Sequence, residues 1–87
     1  MLIRSQNKSR LINLDNTREL RFWECAQGFD IMDCACPIGH YSTKAKALKA
    51  LDMIQEAYET YKYEKAFKTG LTLFETFQMP EDSEVEV

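Results

Sequence analysis

The chain has 87 residues, 45% of them apolar, and a formal net charge of −3. That length supports one domain with a limited core, which makes a second copy or a partner chain a natural source of further burial. No apolar run approaches the roughly 20 residues of a membrane span, and Arg4 and Ser5 break the apolar start short of a signal peptide. Neither a membrane-spanning helix nor a signal peptide is expected on those grounds, and a cytoplasmic protein is. Cys25, Cys34 and Cys36 are an odd set in such a chain, so reduced thiols are expected.

Taken in order, residues 1–36 read as short strands separated by turn chemistry. Met1 to Ser5 is the first, followed by the polar turn Gln6-Asn7-Lys8-Ser9. Leu11, Ile12 and Leu14 make the second, closed by Asp15-Asn16-Thr17, whose side-chain oxygens can bond nearby backbone. Leu20 to Cys25 is the third, and Gln27-Gly28 turns it back into a fourth over Phe29 to Cys36. Along that fourth strand the apolar alternation slips from Phe29 and Ile31 to Met32, Cys34 and Cys36, the mark of either a bulge or burial on both faces. Pro37 lacks a ladder N–H and is read as the end of the strand, with Ile38 to Tyr41 as a brief return.

The stretch from Gly39 to about Gly70 holds the one long helical pattern. Ser42 is the expected N-cap and Thr43 the start, since a hydroxyl there can accept from the free N–H groups of the first turn. Ala47, Leu51, Ile54, Tyr58 and Tyr61 recur at spacings of four and three, with Leu48, Ala50 and Ala57 widening the stripe, so this face is expected to be buried. Gly70 is the expected stop. Lys44, Lys46 and Lys49 crowd the helix start, where the macrodipole favours acids over cations. After Gly70, Leu71, Leu73, Phe77 and Met79 alternate with polar residues as a last strand ended by Pro80.

Glu81, Asp82, Glu84 and Glu86 follow; without these four, eleven basic residues face ten acidic ones, so they account for the whole net acidity. They are expected to form a mobile tail, residues 81–87, beyond a single domain of residues 1–80. The expected class is α+β, an antiparallel meander of about five strands packed against one long helix. Unless the strands close into a barrel, one sheet face stays uncovered. Phe22 and Trp23 fall on opposite faces, and Trp23, Tyr63 and Phe67 are the candidate interface residues.

Four kinds of chemistry have candidate residues. Arg21, Ser42, Thr43, Lys44 and Lys46 are an anion or nucleotide candidate, because free helix N–H groups, hydroxyls and cations together suit a phosphate. The alternative is a solvated basic face. Cys25, Cys34, Cys36 and His40 offer zinc-type ligands, but the Cys-x-Cys spacing is not that of known fingers, and buried inert thiols with a surface histidine outweigh a metal centre. His40, the only histidine, can act as a base only with Cys25 or Cys36 as nucleophile and Asp30 or Asp33 as orienter in one cleft, and nothing in the spacing demands it. Basic residues interleaved with Phe22, Trp23 and Tyr41 can grip a single strand of nucleic acid, which is the third reading; the negative overall charge and the absence of a recognised binding motif stand against it.

The opening Met1-Leu2-Ile3-Arg4-Ser5-Gln6, the segment Ile12-Asn13-Leu14-Asp15-Asn16, the runs Tyr41 to Leu48 and Leu51 to Tyr58, and Phe77-Gln78-Met79-Pro80 resemble small proteins encoded by phages and prophages of Firmicute bacteria. The likeness spans nearly the full chain and departs at Cys34-Ala35-Cys36-Pro37 and His40. It implies a viral context and carries over no catalytic residues. The resulting expectation is a non-enzymatic binding protein without a cofactor that counters host defence by blocking a host protein or sequestering a nucleotide signal. The alternative is a structural or regulatory phage accessory protein that homodimerises.

Overall fold

The structure is a computed structural model that describes residues 1–34, 36–67 and 76–87, without the side chains of residues 64–67. Its class is α+β: one long helix packs against an antiparallel sheet, and a further sheet lies beside it. The first sheet has the order β2-β1-β6, built from β1 (Leu2–Arg4), β2 (Leu11–Asn13) and β6 (Thr76–Gln78); the second has the order β3-β4-β5, from β3 (Leu20–Cys25), β4 (Gly28–Asp33) and β5 (Cys36–Tyr41). Helix α1 runs Lys44–Phe67.

The strands divide because the chain turns sharply after β2. Asn13 Oδ1 accepts from the Asp15 N–H at 3.0 Å and caps a single 3-10 turn, Leu14–Asn16, while the Leu14 N–H donates to the Met1 carbonyl. A local side-chain bond thus stops β2 from running on into β3. In the first sheet Ile12, Ile3 and Phe77 lie in one row, with Ile3 fully buried. Strand β6 joins β1 in parallel rather than as another leg of a meander. The expected Leu71 and Leu73 part of that strand, and the Gly70 stop, lie outside the described residues.

In the second sheet the alternation slip has its cause in a bulge: Ile31 faces Gly39 but Met32 faces Pro37, so Ile38 is passed over in the register. Pro37 therefore stands near the start of β5 instead of closing β4, a place where its missing N–H is tolerated. The helix packs on the side of this sheet that carries Phe22, Phe29 and Ile31. Phe22 and Phe29 stack at 5.3 Å, and Ile31, Tyr41, Ala47, Ala50 and Ile54 are buried between the layers. Leu51, Ala57, Tyr58 and Tyr61 are half-buried at the margin, while Leu48 is exposed and falls off the stripe. Alanines at the centre let the helix approach the sheet closely, and the larger residues wrap the edges.

The segment expected to be a mobile tail is packed. Residues Asp82–Glu84 form a 3-10 turn closed by a capping box between Glu81 and Glu84, and Val85 is buried in the core. Among the described residues no helix is long and apolar enough to cross a membrane.

Candidate functional site: the outer face of the second sheet

Direct pairing across neighbouring strands puts opposed residues on the same face. Trp23 opposes Asp30, and Asp30 opposes His40. These three form one row on the face turned away from α1, flanked by Cys25 with Gly28 on one side and Arg21 with Met32 on the other. Trp23 is 53% exposed, and the Arg21 guanidinium lies over its ring at 5.9 Å. An exposed indole with a stacked guanidinium is a composition found at the centres of protein interfaces.

Beside the indole is a compact polar cluster. His40 Nδ1 and Asp30 Oδ1 are 2.6 Å apart, with the ring nitrogen donating. The Cys25 Sγ, an Asp30 carboxylate oxygen and a His40 ring nitrogen all lie within 4.8 Å of one another. The backbone under His40 is fixed by a residue without any sequence signal: Gln6 Oε1 accepts from the His40 N–H at 3.0 Å, and Gln6 Nε2 donates to the carbonyls of His40 and Pro80. Gln6 also donates its own N–H to the Ile38 carbonyl, so the turn after β1 is tied to the edge of β5. A depression of about 140 Å³ lined by Gln6, Pro37 and His40 adjoins the cluster, too small for a nucleotide when ligand pockets run from about 300 Å³.

Thiol, imidazole and carboxylate are the groups that thiol hydrolases use, and the structure brings together Cys25, His40 and Asp30, a set that spacing alone leaves open. The Cys25 thiol donates to the Gly28 carbonyl at 3.2 Å, so in this arrangement its proton rests on the backbone and not on the imidazole. Cys34, in the β4–β5 connection, and Cys36, the first residue of β5, are exposed, and Asp33 pairs with Arg10 at 3.4 Å. Of the four sulfur and nitrogen candidates, Cys25 and His40 belong to the three-residue ligand cluster seen among the described residues, and Cys34 and Cys36 do not.

The basic helix start has a different occupant. Asp82 accepts from the Ser42 N–H at 2.8 Å and the Ser42 hydroxyl at 3.0 Å, and Lys46 Nζ reaches its carboxylate at 3.5 Å and its carbonyl at 3.0 Å. Ser42 is thus not the cap; Thr43 is, with its Oγ1 accepting from the Lys46 N–H. The acid that the macrodipole requires comes from the C-terminal segment, which resolves the crowding of lysines. Lys44 lies over Phe22 on the helix side of the sheet, away from Arg21 on the outer side. The five anion candidates therefore do not converge, and Ser42 and Lys46 already hold a carboxylate.

The Ser42 N–H, then the Ser42 hydroxyl and Lys46, hold the Asp82 carboxyl below the ordinary range. A carboxyl depressed in the folded state stabilises it above the unfolded value of about 3.9 and loses that effect as pH falls through the folded value. Asp82→Asn is therefore expected to lower the urea midpoint at pH 6 and to leave a shallower loss between pH 5 and 2.5, the two titrations converging in acid. Asp15, held low chiefly by the Tyr58 hydroxyl and also by the chain's amino terminus, keeps its own share of the acid dependence in that variant.

The interface candidates also separate. Tyr63 is exposed on α1 and belongs to the helix layer, Trp23 to the opposite side of the sheet, and the Phe67 side chain lies outside the described residues. Comparison with protein-family models, with curated proteins and with solved structures gives no match, so the site is defined by its own geometry.

Proposed function

We propose that this is a non-enzymatic binding protein that docks a protein partner on the outer face of the β3-β4-β5 sheet, with Trp23 as the anchor. The observation that carries this is the half-exposed indole, with the Arg21 guanidinium over it, at a sheet edge: among the described residues β3 is the terminal strand of its sheet, with backbone groups on its outer side that no other described strand pairs. The resemblance to phage and prophage proteins supports a host protein in the bacterial cytoplasm as the target, with interference in host defence as the purpose. A nucleotide signal is the weaker ligand, because the helix start that suits a phosphate is filled by Asp82.

The test is capture from bacterial lysate by the immobilised chain, by Trp23→Ala and by Lys44→Glu. Loss of the indole is expected to weaken retention by about 30-fold, the equivalent of roughly 2 kcal/mol for an interface anchor, with the fold unchanged because the ring is on the surface. Lys44→Glu should retain the partner. Equal retention by the wild type and Trp23→Ala would remove the proposal.

A further inference from the structure

We infer that Cys25, Asp30 and His40 form a binding site for a divalent transition-metal ion of the zinc class, each giving one ligand atom and solvent completing a tetrahedron. Thiolate, imidazole and carboxylate are the three donor types such an ion prefers, and three protein ligands with one solvent position is a recognised open site.

The geometry is close to what the ion needs. Bonds of about 2.0–2.3 Å to oxygen, nitrogen and sulfur set ligand separations of about 3.3–3.8 Å in a tetrahedron. The three donor atoms already lie within 4.8 Å of one another, so adjustments of about an ångström by side-chain rotation close the set. The pair at 2.6 Å, His40 Nδ1 and Asp30 Oδ1, opens slightly as the ion takes the place of the proton between them, the neutral imidazole then carrying its one N–H proton on Nε2. The Cys25 thiol also gives up its proton, since the thiolate is the ligand.

The scaffold is suited to holding these positions. Asp30 and His40 are directly opposed on β4 and β5, and Cys25 ends β3 opposite Gly28. Three strands thus contribute one ligand each, and an ion there would tie the β3–β4 hairpin to β5. Gly28 keeps the space open: a Cβ on it would lie 2.9 Å from His40 Cε1 and 3.0 Å from Nε2. His40 is exposed enough for a solvent ligand to reach the ion.

The probe is Co²⁺ added to the full, reduced chain, followed by Zn²⁺ as competitor. One Co²⁺ per chain is expected, with a thiolate-to-metal charge-transfer band and visible bands of tetrahedral intensity, all bleached by Zn²⁺. Cys25→Ser should abolish the charge-transfer band, His40→Asn should weaken binding at least tenfold, and the Cys34→Ser/Cys36→Ser double variant should behave as wild type. A wild-type spectrum without thiolate character, or a band that survives in Cys25→Ser and vanishes in the double variant, overturns the assignment. Because a variant can fail to fold, the wild type is also followed by the ring nitrogen resonances of its single histidine; Zn²⁺ must shift them, and unchanged resonances overturn the site as well.

Discussion

Replacing Tyr41 with alanine is expected to cost about 3–5 kcal/mol, the range for deleting a buried aromatic side chain. Tyr41 is the largest fully buried side chain among the described residues, and its position explains why the loss should be large. It ends β5 immediately before the helix, packs between the sheet and α1, and donates its hydroxyl to the Pro80 carbonyl at 2.8 Å. Its burial pushes the phenol pKa up, with the Asp82 and Glu84 charges adding to the shift, so the hydroxyl stays a donor throughout the physiological range. Tyr41→Phe separates the two contributions. It keeps the ring and removes only one hydrogen bond, and because Gln6 Nε2 still donates to the Pro80 carbonyl the expected loss is about 0.5–1.5 kcal/mol. Urea unfolding of both variants measures this; a domain of this size has roughly 5–13 kcal/mol in total, so the alanine variant should be visibly destabilised at 25 °C. A Tyr41→Phe loss as large as that of Tyr41→Ala would mean that the ring contributes little and that the packing described is wrong.

Gly28→Ala should be the second costly change. Its φ of +145° is one that side-chain-bearing residues rarely adopt, and the added methyl would stand 2.7 Å from the Tyr41 carbonyl oxygen. Backbone strain of this type costs on the order of 1–3 kcal/mol, and an overlap with main chain, unlike one with a flexible side chain, is relieved only by moving β4 against β5. The same movement displaces His40 from Asp30 and Cys25. Urea unfolding should therefore show a lower midpoint and the Co²⁺ titration a weaker complex in one variant. An unchanged midpoint would show that the hairpin end tolerates a side chain and has no fixed geometry.

How much of this is legible in the sequence depends on how local the determinants are. The long helix follows from residues three and four apart, and its buried face is readable to within one column: Ala47 and Ile54 are buried as the periodicity requires, while Leu48 is not. The β3–β4 hairpin follows from Gly28 and its flanking strands, and the slip at Ile31 and Met32 is visible as a choice between bulge and double burial. What escapes is non-local. Nothing near Pro80 announces a parallel pairing with β1, and the docked C-terminal segment depends on Asp82 meeting Ser42 and Lys46, 40 and 36 residues away. A run of acids looks like a solvated tail unless its cationic partner is known. Gln6 is an ordinary turn residue in sequence and becomes a four-bond link only when β5 lies beside it. In sequence, Cys25, Asp30 and His40 are a set of names without a register; the pairing of Trp23 with Asp30 and of Asp30 with His40 turns them into a place.

The functional reading rests on one face of one sheet, and its single tryptophan makes that face observable directly. The chain labelled with 5-fluorotryptophan carries one fluorine resonance, which can be followed in bacterial lysate whatever the identity of the partner. If the outer face of β3-β4-β5 is the docking surface, the resonance should shift and broaden in whole lysate, remain sharp in its small-molecule filtrate, and revert on displacement by excess unlabelled chain. A sharp, unshifted resonance from chain that co-fractionates with a larger species would place binding elsewhere on the molecule and contradict the docking role of this face.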